Sequence, residues 1–275
     1  MLPFVKKGIA ESKAGKPQGT IANFSPDRVN ETIVELIECD AGEYHEKEIT
    51  DITELRAIKQ NHYISWLCFY GLKDVEMLKA AAEMFGINPL TVEDILNPDH
   101  RPKLETFDNY LFIIIKMIDI TDDGKLKSEQ VSFIIGENYV LTFQEDPGDV
   151  FDPIRERLRK NIGRVRGSAS DYLALALIDI IIDNYFIVLE CLAEALEELE
   201  MTLLKTPEDF NGNDVHELKM QLFYMRKISW PLREIAAALL RAESPIIKPE
   251  SRIYFRDIYD HAVHVLETSE TLREV

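Results

Sequence analysis

The sequence predicts an α+β protein: a mixed α/β domain over roughly the first 165 residues, then long helices to the end. Three observations predict it. Up to Gly163, short apolar runs bounded by Gly, Pro, Asn or Asp alternate with stretches of helical periodicity. From Ser168 to Leu204 there is no Gly or Pro, and apolar residues recur three and four apart. Two further helical stretches follow, separated by Pro-containing breaks. The organisation expected is a mobile N-terminal arm (1–28), an α/β domain (29–165), a long helical hairpin (166–250) and the start of a final helix (251–275).

The arm is Lys-, Gly-, Ser- and Pro-containing with little periodicity, which argues for mobility. Its Ala14-Gly15-Lys16 lacks the spacing glycine and the Ser or Thr of a phosphate-binding loop. Thr32–Cys39 reads as a strand turning at Asp40-Ala41-Gly42, with His45–Ile49 pairing back. Ile64–Tyr70 is aromatic-rich and ends at Gly71, a second strand signal. Asp74–Phe85 carries Val75, Leu78, Ala81, Ala82 and Phe85 at helical spacing.

Asn88–Ile118 is the densest stretch. Asn88 caps a short helix that Pro89 opens, since a first-turn N–H has no partner to lose. Leu90, Ile95 and Leu96 form its apolar side, and Pro98 and Pro102 end it and hold the linker extended. Tyr110–Ile118, broken only by Lys116, reads as a buried strand. Ser128–Ile135 and Tyr139–Gln144 flank the turn Gly136-Glu137-Asn138, a hairpin. Asp149–Lys160 has helical spacing at Val150, Phe151, Ile154 and Leu158.

The long helix follows, with Leu173, Leu177, Ile181, Leu189, Leu192, Leu196 and Leu199 among its apolar positions. Asp214–Arg241 is the next, capped by Asn213 or Asp214 and kinked or interrupted at Pro231. Ser251–Val275 is the last, with Tyr254, Ile258, His261, Val265 and Leu272 on one side. No stop signal precedes Val275, so the helix is expected to be cut short there.

Composition narrows the function. Forty-nine acids against 31 Lys plus Arg give a formal charge of −18, which opposes nucleic-acid binding and suits attraction of cations. Cys39, Cys68 and Cys191 have no Cys-x-x-Cys spacing and fit a reducing compartment without a zinc site. The apolar stretch Leu173–Leu192 is interrupted by Asp179 and Asp183, and Leu111–Ile120 is too short to span a membrane, so no transmembrane helix is expected. Met1–Ile9 has no adequate apolar run for a signal peptide.

No nucleophile–base pair stands out, so the chemistry sought is that of carboxylates. Magnesium and calcium take oxygen ligands. The candidates are Glu93 and Asp94 on the short helix, Asp179 and Asp183 one turn apart on the long one, and Asp257, Asp260, His261 and His264 on the last. The His-containing face of the last helix also suits a transition metal. Each could equally be solvated surface charge. Between Glu190 and Glu217, nine acids stand against Lys205 alone, at the tip of the expected hairpin.

The run Pro89-Leu-x-x-Glu93-Asp94-Ile95-Leu96-Asn97, followed by Arg101-Pro102-Lys103 and an aromatic-rich strand, resembles the CorA family of divalent-cation channels. The similarity continues through Val140–Glu145, Gly148–Arg157, Asp171-Tyr172-Leu173, Leu177-Ile178-Asp179, Trp230–Glu234, Tyr254–Asp257 and Tyr259–His261. The resemblance implies an α/β/α sandwich domain with a central sheet, a helical hairpin and a truncated stalk helix. It implies a homopentamer held in the inner or plasma membrane by helices absent here, as is the family's Gly-Met-Asn motif, with this portion cytoplasmic. Magnesium is the implied ion, transported and regulatory, with cobalt, nickel or calcium as further ions. Asp94 facing Asp257 of a neighbouring subunit, and Glu93 with Asp179, are the implied regulatory metal sites. Alternatives are a zinc or cobalt/nickel transporter of the same family, a soluble enzyme, or a structural interaction module.

Overall fold

The computed structural model describes residues 31–274, apart from 61 and 99. The expected arm, with Ala14-Gly15-Lys16, lies outside the described residues. The apolar runs become seven strands: β1 (Ile33–Cys39), β2 (Tyr44–Glu48), β3 (Ile64–Tyr70), β4 (Lys103–Thr106), β5 (Leu111–Ile120), β6 (Leu126–Ile135) and β7 (Tyr139–Gln144). They form one sheet in the order β2-β1-β3-β7-β6-β5-β4. The central β3–β7 pair is parallel, and the other pairs are antiparallel. A parallel pair needs a long crossover, and here the chain between β3 and β7 supplies two helices and three strands.

Successive side chains leave a strand on opposite sides, so the sheet has two faces to cover. Cys68, Ile113, Ile115, Phe133 and Val140 join one core; Leu67, Phe69, Phe112, Ile114 and Leu141 join the other. The second core is closed by a 3-10 segment (Ile52–Gln60), α1 (Val75–Phe85) and α2 (Pro89–Ile95). The first is closed by α3 (Asp152–Arg159), α4 (Ser170–Lys205), α5 (Gly212–Arg241) and α6 (Arg252–Glu274). Both faces being covered explains why β5 is apolar apart from Lys116 and Asp119 rather than alternating. Lys116 is tolerated there because its buried ammonium donates to the Pro98 carbonyl at 2.7 Å.

Several expectations shift. Asn88 does cap α2, its side chain accepting from Leu90 N at 2.9 Å. Leu90 itself, expected on the apolar side, is 47% exposed; Thr91, Val92, Ile95 and Leu96 form the buried stripe instead. The helix expected from Asp149 begins at Asp152, because Asp149 instead accepts from Phe151 N and pairs with buried Arg155. The cap of α5 is Asn211, not Asn213 or Asp214. Pro231 does not interrupt α5: the helix runs through it, held by buried Met225, Ile228, Leu232, Ile235 and Leu239 on both sides. Packing over that length outweighs the lost hydrogen bond of one proline.

The two aspartates of α4 argue in the sequence against a membrane span. By length and composition α4 is nevertheless the one helix, among the described residues, that could cross a membrane. Its apolar window is 61% buried inside the protein, the position of a core helix.

Candidate metal centre

The α4–α6 contact gathers carboxylates. Ile178, Ile181, Ile182 and Tyr185 turn one face of α4 into the core. That rotation leaves Asp179 half-buried at the edge and Asp183, one turn on, exposed. From α6, Ala262 and Val265 enter the core, which brings His261 and Asp257, also one turn apart, alongside. Phe186 of α4 packs edge-on to His261 and, closer, at a tilt to His264, with ring centroids 6.2 and 5.1 Å away.

Asp179, Asp183 and His261 each present one ligand atom within 4.8 Å of the others. Asp257 Oδ1 lies 3.9 Å from His261 Nε2. Asp179 Oδ1 and His261 Nδ1 are 3.5 Å apart, both atoms buried, facing each other in a loose contact with no other hydrogen-bond partner among the described residues. Buried polar atoms with one long contact and no other partner are uncommon in folded proteins. Burial pushes the Asp179 carboxyl above its ordinary range, and the Asp183 and Asp257 charges add to the push. A cation among these oxygens would remove the repulsion and give the loosely paired buried atoms a closer partner. Two carboxylates and an imidazole suit a divalent ion, the imidazole leaning toward transition metals.

Glu93 and Asp94 stand elsewhere in the same chain. They line an open groove of about 670 Å³ with Asn88, Leu90 and Glu105. Asp94 accepts from Lys103 Nζ of β4 at 2.7 Å, and His100 Nε2 lies 3.3 Å from its other oxygen. Burial acts to raise the Asp94 carboxyl, but His100 and Lys103 outweigh it and hold the group below its ordinary range. Lys103 also donates to Glu105 at 2.7 Å. Asp94 therefore already has an ammonium and an imidazole as partners, which any metal there must displace. The side chain of Asp257 is 68% exposed, and Asp260 and His264 are exposed too.

Of the four residues implied by resemblance, one chain thus brings Asp179 near Asp257 and leaves Glu93 and Asp94 in the α2 groove. Asp183 and His261 complete the α4–α6 cluster. They were candidates by helical spacing, yet spacing within each helix does not say which helices meet. His100 and Lys103 as partners of Asp94 were not anticipated, because the short strand β4 carries no alternation long enough to read.

Residues 61–275 match the family model of CorA-like Mg2+ transporter proteins. The chain is 39% identical over 265 residues to the cobalt/magnesium transport protein CorA of Thermotoga maritima, covering 96% of this chain and 75% of that one. It is 28% identical over 212 residues to the putative metal ion transporter YfjQ of Bacillus subtilis, covering 76% of this chain and 64% of the other. The soluble domain of CorA from Methanocaldococcus jannaschii shares the fold with a TM-score of 0.70 at 22% identity, over 90% of this chain and 94% of that one. The ZntB cytoplasmic domain from Vibrio parahaemolyticus does so with a TM-score of 0.67 at 14% identity, over 89% and 93%. The α/β/α sandwich with long C-terminal helices is the fold these domains share, and the chain belongs to the CorA family of magnesium transporters.

Proposed function

We propose that this chain is the cytoplasmic regulatory part of a CorA-type magnesium channel, acting in a membrane-bound homopentamer rather than as an enzyme. In this reading it senses cytosolic divalent cations through carboxylates at subunit contacts. The observation that carries the reading is the crowding of Asp179, Asp183 and Asp257 around His261, with the loosely paired buried atoms Asp179 Oδ1 and His261 Nδ1 at its centre. Asp94 of one subunit meets Asp257 of the next, and Glu93 joins Asp179. The exposure of Asp257 leaves it free for such a meeting. High magnesium binds the closed ring better than the open one and so shifts its population; when magnesium falls, like charges loosen the ring.

The test is limited proteolysis and thermal melting across a magnesium titration, with cobalt and calcium alongside and Asp94→Asn/Asp257→Asn as control. Saturable protection that the double variant loses supports the reading, because a ligand preferring the folded assembly raises its stability. Protection that survives in the double variant sinks the assignment of these residues. A second reading, zinc or cobalt/nickel as the ion, rests on the imidazole of His261 in the cluster. Cobalt acting at far lower concentration than magnesium, and losing that advantage in His261→Ala, favours it.

A further inference from the structure

One groove runs against the charge of the molecule. Between α5 and the loop that precedes β4, Arg101, Lys116, Phe223, Arg226, Lys227 and Trp230 line an open cavity of about 770 Å³. In a chain of net charge −18, that concentrates four cations around aromatic rings, with no carboxylate among the described lining residues. Phe223 and Trp230 are 48% and 45% exposed. The Arg101 guanidinium lies 5.2 Å from the Trp230 ring centre, and Lys227 sits 6.0 Å from that of Tyr224. Arg226 is paired with Glu270 and Lys116 with the Pro98 carbonyl, but Arg101 and Lys227 pair with no carboxylate among the described residues.

We propose that this groove binds a nucleotide, its base stacked on Trp230 and Phe223 and its phosphates held by Arg101 and Lys227. Exposed aromatic faces give stacking energy that is tolerant of which base is bound. Unpaired cations beside them supply the phosphate contacts. The volume lies within the range of small-molecule sites, and the groove is built on a helix and a loop anchored by buried Lys116. The site does not depend on the metal reading. Its loop does reach the α2 groove, however, because His100, beside Arg101, faces Asp94.

Tryptophan fluorescence tests this directly. The chain has two tryptophans, and Trp66 is fully buried, so a ligand in the groove reports through Trp230. The whole chain is titrated with AMP and ATP in EDTA, which removes divalent ions, with adenosine and tripolyphosphate as half-ligands. The expected result is saturable quenching by both nucleotides, with affinity lowered about tenfold or more in Arg101→Ala/Lys227→Ala, as for the loss of one charge-assisted hydrogen bond. Both half-ligands should bind correspondingly more weakly. Far-ultraviolet circular dichroism of the variant confirms that it is folded. The proposal is overturned by no saturable response, by tripolyphosphate binding as well as ATP, or by unchanged affinity in the variant. It is also overturned if Trp230 is shielded from acrylamide in the nucleotide-free protein, because the groove is then covered by another copy of the chain.

Discussion

At the scale of single residues, burial decides which charges matter. Asp179 is crowded by Asp183 and Asp257 in a half-buried position that raises its carboxyl's proton affinity. A raised acid pKa means that the folded state holds its proton more tightly than the unfolded chain does. The ionised form is thus the strained one, and stability falls as pH rises through the shifted range. Asp179→Asn removes that strain. In EDTA at neutral pH the variant should melt no lower than the wild type, while losing the stabilisation that added divalent ion confers. Melting well below wild type would mean that Asp179 serves the fold rather than a cation. Glu129 gives a separate pH signature. Burial pushes its carboxyl up to about 7 from an ordinary 4.5, although it accepts hydrogen bonds from the Glu145 and Asp146 amides at 2.6 and 2.9 Å. Between those pH values the folded state binds more protons, so Glu129 stabilises the fold as pH falls, by on the order of 3 kcal/mol in total. Glu129→Gln keeps the acceptor oxygen and has no such titration. Chemical denaturation at pH 5 and pH 7.5 should show a smaller pH dependence in the variant; equal slopes would refute the assignment.

At the scale of elements, the hairpin between β6 and β7 shows how a single turn is specified. Gly136 sits under the Tyr139 ring, where an added methyl would come within 2.2–2.7 Å of ring atoms. Tyr139 is itself buried against Phe85. Gly136→Ala should therefore cost about 1–3 kcal/mol through forced repacking, read as a lower urea midpoint with an unchanged slope. The same turn was legible in the sequence as Gly136-Glu137-Asn138 between two apolar runs. Long elements were legible for the same reason. The absence of Gly and Pro placed α4 within two residues at its start and one at its end. Short or irregular elements were not: β4 has four residues, too few to establish an alternation, and the Ile52–Gln60 segment winds as a 3-10 helix, whose period of three matches neither the strand nor the α-helix pattern. The parallel β3–β7 pairing was also hidden, because pairing partners 74 residues apart leave no local signal. The candidate site was half legible. Helical spacing placed Asp179 with Asp183 and Asp257 with His261, but only tertiary packing of α6 on α4 joins the two pairs.

At the scale of the molecule, charge is the dominant fact and also the main confounder. A net charge of −18 attracts any cation, and the tip formed by the end of α4 and the start of α5 adds exposed Glu190, Glu194, Glu197, Glu198, Glu200, Glu208, Asp214 and Glu217. A stabilising effect of magnesium could thus arise from diffuse screening of self-repulsion, with no site at all. The two differ in how they respond to salt. Diffuse attraction between exposed charges is lost when the screening length falls to about 3 Å, near 1 M salt, whereas partly buried contacts are screened much less. Asp179 and its buried oxygen belong to the second kind, the acidic tip to the first. In about 1 M sodium chloride, millimolar magnesium should therefore still raise the melting temperature of the wild type, and should do so far less for Asp179→Asn. A tip variant, Glu197→Gln/Glu198→Gln/Glu200→Gln, should respond as the wild type does. If sodium chloride alone reproduces the magnesium effect, or if the tip variant and Asp179→Asn lose it equally, the cation is acting on the charge of the whole surface, and the α4–α6 cluster is not its site.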